Sequence, residues 1–146
     1  MVEKRPFLLT LYRAAAPGVS PLFHVLFALR SRALKEIPAR KAERFGPGAR
    51  PRPAGDLIWI HAASVGETMS VLPLIAALAG EGRHVLLTTV TVTASELADK
   101  RLPVGAFNQF VPYDAPKPIG TFLAHWPPDL AMVVESATWP CLFDET

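Results

Sequence analysis

WIHAASVGE, residues 59–67, begins as a hydrophobic strand and ends in a turn of small residues that carries one carboxylate. A helical stretch follows it, with Val71, Leu74, Ile75 and Leu78 on one face. Strand, short turn and apolar-faced helix form the unit of which parallel sheets are built, and outward from this stretch the unit repeats. HVLLTTV (84–90) is the second strand, and Thr93-Ala-Ser-Glu96 has the pattern of a capping box that opens a short helix. FNQFV (107–111) is the third strand. Ile119, Phe122, Leu123 and Trp126 then recur at helical spacing until Pro127-Pro128-Asp129 stops them, and LAMVVE (130–135) is the fourth strand. Pro140, just inside a cap at Ser136 or Thr138, opens a further helix.

This pattern predicts an α/β, Rossmann-like parallel sheet, one half of a doubly wound fold. In the common strand order 3-2-1-4, strands one and four are neighbours where the winding reverses, and ligands bind beyond their carboxyl ends. Glu67 follows strand one and Glu135 closes strand four, so the two acids are expected to face one crevice. An acid ending a buried strand is paired or functional, because a buried carboxylate without a partner is costly.

Two readings of Glu67 stay open. Ser64-Val-Gly-Glu67 fits a capping box, which makes Glu67 structural. Pro73 opposes this by falling inside that helix; with Ser70 as the cap, Pro73 sits in the first turn and Glu67 is released into the loop. Rival chemistries are excluded by the turn itself. Its single Gly66 is not the Gly-x-Gly-x-x-Gly of a dinucleotide site, no Gly-Lys-Ser/Thr ends a phosphate loop, and AASVG lacks the first glycine of a nucleophile elbow.

With 146 residues, half of them hydrophobic and 19% charged, the chain has the make-up of one globular domain. Its single cysteine, Cys141, rules out an internal disulfide, and its four scattered histidines have no ligand spacing, so no metal is expected. The net charge of +2 conceals an asymmetry. Through Pro53 there are eleven Lys/Arg against three acids, net +8, and the remainder carries four against ten, net −6. A basic front end implies an anionic partner, and RPFLLTLYRAAAPGVSPLFHVLFALRSR (5–32) has apolar runs where a nucleic-acid arm interleaves its cations. Membrane phospholipid, not nucleic acid, is the expected partner.

The uncharged run Ala14 to Leu29 covers roughly 24 Å as a helix, short of the ~30 Å hydrocarbon core. Extension to Phe7 takes in Arg13 and the helix breakers Pro17 and Pro21, so a tilted span and an in-plane anchor both remain open. The cations that follow place the rest of the chain on the cytoplasmic side. The plainer reading is an amphipathic helix packed on the domain. The expected organisation is a hydrophobic membrane-associating segment over 1–34, a basic linker over 35–55 and the Rossmann-like domain over 56–146.

ERFG (43–46), WIHAASVGET (59–68), TTVTVTASE (88–96), FVPYDAP (110–116) and VVESATWPCL (133–142) resemble, in order, the N-terminal half of the bacterial 3-deoxy-D-manno-octulosonic acid (Kdo) transferases of lipid A assembly. The resemblance implies a GT-B glycosyltransferase of two domains at the cytoplasmic face of the inner membrane. Its N-terminal domain takes the lipid A precursor and its C-terminal domain takes CMP-Kdo, with no cofactor and no required metal. By the same resemblance Glu67 is the general base on the acceptor hydroxyl, and Glu135 is a supporting carboxylate. Ser64, the backbone at Gly66, and Arg44 are candidates for holding acceptor phosphate or sugar hydroxyls. The chain departs from the family pattern in having Ala137 where a second glutamate is usual, Thr138 where Leu or Ile is, and Cys141 where Asn is. A chain ending at Thr146 is expected to lack the donor domain and to be inactive alone. Two other readings are a non-catalytic module that binds anionic lipid and half of a different GT-B enzyme.

Overall fold

Leu57–His61 is the central strand β1, and all five of its residues are buried, as a near-continuous apolar run must be when both faces of its sheet are covered. In the computed structural model, which describes residues 7–134, three further strands lie parallel to it: β2 (His84–Thr89), β3 (Ala106–Phe110) and β4 (Leu130–Val133). The order is β3-β2-β1-β4, the common doubly wound order from which the crevice between strands one and four is expected. Trp59 pairs with Leu86 on one side and Ala131 on the other, which puts the carboxyl ends of β1 and β4 side by side.

Alternation along β1 divides the core in two. Leu57 and Trp59 join Leu86, Ile119, Phe122 and Trp126 on one face. Ile58 and Ile60 join Val85, Leu87, Val71, Ile75 and Ala98 on the other. The second face is covered by α2 (Val65–Gly80) and α3 (Val92–Arg101), and the first by α4 (Pro116–His125). Right-handed crossovers require this: helices linking strands laid outward from β1 fall on one face, and the helix returning from β3 to β4 falls on the other.

One helix start that stood open between two readings is decided, and another differs from expectation. α2 begins at Ser64, not Ser70, and Pro73 lies inside it. Pro73 and Met69, whose carbonyl loses its partner to the ring, are both on the exposed side, where the freed carbonyl is not buried without a partner. α3 is capped by Thr91, whose hydroxyl accepts the Ala94 N–H at 3.2 Å, so the helix starts two residues before the expected Thr93 box. Leu74, expected on the buried stripe of α2, is 44% exposed.

The basic front end is bound into the domain. α1 (Phe7–Arg32) runs through Pro17 and Pro21 without a break, and among the described residues no helix is long and apolar enough to cross a membrane. Phe27 is buried, Phe23 stacks on Tyr113 at 4.8 Å and His24 stacks on Phe45 at 4.3 Å. The opposite side of α1 turns Leu22, Val25, Leu26 and Leu29 outward. The expected linker contains a 3-10 segment, Pro38–Phe45, in which Glu43 and Arg44 are buried. The Glu43 carboxylate accepts the Phe110 N–H at 2.7 Å and two bonds from Arg40, at 2.7 and 2.8 Å. A strand edge is thus capped by an ion pair, and the cations of the expected basic linker are partly internal.

Gly46 and Gly48 allow this segment to lie against α4. At φ +119° Gly46 holds a backbone conformation that L side chains rarely adopt, and a Cβ there meets the Pro118 carbonyl oxygen at 2.5 Å. Gly48 is seated against the Trp126 ring. Gly46→Ala is expected to destabilise the domain by on the order of 2–3 kcal/mol, read as a lowered urea midpoint, because strain and a backbone clash add. A change within about 0.5 kcal/mol, the usual range for a neutral surface site, shows that the segment is not tightly docked.

Candidate active site

The turn after β1, the strand that neighbours β4, places one carboxylate at the carboxyl edge of the sheet. Ser64, with extended backbone, is the N-cap of α2 and its Oγ accepts the Glu67 N–H at 3.2 Å. The Glu67 side chain folds back over the turn. Its Oε2 accepts the Ala63 N–H at 2.7 Å and its Oε1 accepts the Ser64 hydroxyl proton at 2.9 Å. The capping reading therefore holds, and the alternative cap at Ser70 does not. Capping leaves Glu67 accessible: it is half-buried, at the amino end of a 16-residue helix, with a second lone pair on each oxygen. Gly66 is exposed and a Cβ there meets nothing closer than Ser64 Oγ at 4.0 Å, so its backbone is open to a ligand.

Beneath the turn lies a fully buried polar group. Trp59 Nε1 donates to Thr88 Oγ1 at 2.9 Å, and His61 Nδ1 is 2.9 Å from the same oxygen. His61 ends β1, and its carbonyl accepts the Val134 N–H, which ties it to the strand that leads to residue 135. Burial pulls the His61 pKa from 6.5 to about 4, against the opposing pull of the Glu67 charge. The ring is therefore neutral at pH 7 and packs at the strand end. The unfolded chain binds this proton below about pH 6.5 and the folded chain only below about 4. Stability from His61 is thus complete above about pH 6.5 and falls as pH drops through that window, by about 3 kcal/mol in all. Urea midpoints at pH 7 and pH 4.5 are expected to differ less in His61→Gln than in the parent chain; equal differences contradict the assignment.

The remaining candidates are placed differently. Arg44 is neither solvated nor open to a ligand: its Nε donates to Glu36 at 2.9 Å, Nη1 to the Val111 carbonyl at 3.1 Å and Nη2 to the Val90 carbonyl at 2.6 Å. It braces the chain just beyond β2 and β3, with the guanidinium over the Phe110 ring. Burial lowers its pKa, opposed by Glu36, and burial raises that of the neighbouring Tyr113 phenol. Glu135, Ala137, Thr138 and Cys141 lie outside the described residues, as does the helix expected at Pro140. Two hollows, of about 410 and 560 Å³, run along the outer edge of β3 and share Arg50, Ala106 and Phe107. Neither is lined by Ser64, Gly66 or Glu67, so topology rather than cavity size locates the site.

A doubly wound sheet with an acid at its reversal point defines a class, the α/β domains that bind ligands beyond the strand ends. Comparison with known proteins narrows it. Residues 39–146 match the family described as 3-deoxy-D-manno-octulosonic-acid transferase (kdotransferase). The chain is 42% identical over 145 residues to the probable mitochondrial 3-deoxy-D-manno-octulosonic acid transferase of Arabidopsis thaliana, covering 93% of this chain and 31% of that protein. It is 35% identical over 139 residues to the enzyme of the same name from Bordetella pertussis, covering 90% and 32%, and 35% identical over 127 residues to that of Rickettsia bellii, covering 86% and 30%. The chain belongs to the 3-deoxy-D-manno-octulosonic acid transferase family, and it spans about a third of the length of these relatives.

Proposed function

We propose that this chain is the acceptor-binding part of an inverting GT-B glycosyltransferase that moves Kdo from CMP-Kdo to a lipid A precursor. The observation that carries the reading is the Glu67 carboxylate, held at the carboxyl edge of β1 beside β4 in a chain of this family. Glu67 takes the proton from an acceptor hydroxyl, the oxygen attacks the anomeric carbon of Kdo, and CMP departs with the bonding electrons and inversion. A sugar hydroxyl is a poor nucleophile, and a placed base contributes about 10²- to 10⁴-fold. The Gly66 backbone contacts the acceptor, Ser64 acts through the Glu67 side chain that it holds, Glu135 supports the same crevice, and Arg44 acts through the loops that it braces. The donor binds residues beyond this chain.

The acceptor is a lipid, and the ridge Leu22, Val25, Leu26 and Leu29 continues into Arg30, Arg32 and Lys35. An apolar ridge with a cationic end suits a helix lying in an anionic phospholipid surface, here the cytoplasmic face of the inner membrane. The test uses this chain alone and this chain continued by the remaining length of the Bordetella relative. The hybrid is expected to transfer Kdo from CMP-Kdo to a lipid A precursor, and the chain alone is not. A folded hybrid without transfer, whose chain still binds anionic vesicles, contradicts the enzyme reading and favours a lipid-binding module.

A further inference from the structure

We propose that Ser64 is a positioning residue, holding the Glu67 carboxylate in the orientation in which the acceptor hydroxyl meets it; this rests on the reading of Glu67 as general base. In an ordinary capping box the carboxylate at the third helical position returns to the backbone N–H of the cap residue itself. Here it does not. Glu67 Oε2 takes the N–H of Ala63, one residue earlier, at 2.7 Å, and Oε1 takes the Ser64 hydroxyl proton at 2.9 Å. The Ser64 hydroxyl accepts from the Glu67 amide and donates to the Glu67 carboxylate, so one side chain both starts the helix and fixes the acid.

Capping alone does not call for this residue. Aspartate caps a helix as well as serine, but an ionised aspartate has no proton to give and repels a second carboxylate. Nor is burial the reason, because Ser64 is exposed and Glu67 half-buried. A free glutamate on an exposed first turn samples several rotamers, whereas two donors, one on each oxygen, select one of them. Both oxygens keep a lone pair for an incoming hydroxyl. A general base acts only within hydrogen-bond reach of its proton, so this selection bears on turnover rather than on acceptor binding.

The experiment is a double-mutant cycle in the hybrid described above, with kcat and the acceptor KM measured for Ser64→Ala, Ser64→Thr, Glu67→Gln and Ser64→Ala/Glu67→Gln. Amide exchange in the first turn of α2 confirms that each variant keeps the helix. Ser64→Ala is expected to lower kcat about tenfold with the acceptor KM unchanged. Ser64→Thr, which keeps the hydroxyl, restores most of the loss. In the Glu67→Gln background, Ser64→Ala has no further effect. Full turnover in Ser64→Ala, or an equal loss in both backgrounds, overturns the positioning role and leaves the base assignment standing. Full turnover in Glu67→Gln removes the base assignment and this proposal together.

Discussion

Glu67→Gln, introduced into the hybrid enzyme, is expected to lower kcat by about 10²- to 10⁴-fold while the domain stays folded. Glutamine keeps the length and shape of glutamate but takes no proton. It also fits the turn imperfectly. The two donors that face the carboxylate, the Ala63 N–H and the Ser64 hydroxyl, meet one carbonyl oxygen and one amide group in its place. The cap is weakened, and a stability loss of about 1 kcal/mol accompanies the loss of turnover. The two effects separate the roles of Glu67. A loss of that size with normal turnover marks a capping residue and nothing more, whereas a collapse of kcat with a small stability change marks a base that the cap holds.

Arg44→Met is expected to cost about 3–5 kcal/mol of stability, enough to unfold much of a marginal domain. The Arg44 and Glu36 side chains are only 4% and 1% exposed and meet at 2.9 Å. Removing the guanidinium leaves a buried carboxylate whose remaining ion-pair partner among the described residues is Arg30, itself 35% exposed, at 2.8 Å. It also strips the Val90 and Val111 carbonyls of their donors. Arg44→Met/Glu36→Met removes both charges and is expected to be more stable than Arg44→Met alone, since the larger part of the cost is the stranded acid. Denaturant midpoints of the three chains check this. A single variant within about 0.5 kcal/mol of the parent places Arg44 at the surface and frees it to bind acceptor phosphate.

How much of this was legible in the sequence follows from the range of the forces involved. The strands announce themselves through short apolar runs, whereas the order β3-β2-β1-β4 comes from the commonest arrangement of a doubly wound sheet, and the handedness of crossovers then fixes which face each helix covers. Ser64 and Glu67 stand three residues apart, so a local pattern was enough to offer the capping box. Pro73 argued against that box only until its place on the exposed side of α2 was known, because propensity says what a proline removes and not whether water replaces it. At Thr91 and Thr93 two hydroxyls compete for one helix start, and only backbone geometry decides between them. The segment 35–55 was the least legible. Its charges pair with near neighbours, Glu43 with Arg40 and Arg44 with Glu36, but they are held inside by hydrogen bonds to groups far along the chain, the Phe110 amide and the Val90 and Val111 carbonyls, and no local pattern distinguishes such pairs from solvated ones. The signal that was present is Phe45-Gly46-Pro47-Gly48, where an aromatic residue is followed by two glycines that sit against Pro118 and Trp126.

The central claim is that the acceptor binds at the carboxyl edge of the sheet, where β1 meets β4 and Glu67 opens α2. Amide NMR of this chain, titrated with a soluble, short-chain phosphorylated glucosamine disaccharide of the lipid A type, tests it most directly. Shifts are expected to concentrate at residues 62–68 and at Val134 and to be absent from the opposite end of the sheet. Shifts gathered instead around Arg50, His84 and Val104, along the outer edge of β3, contradict it.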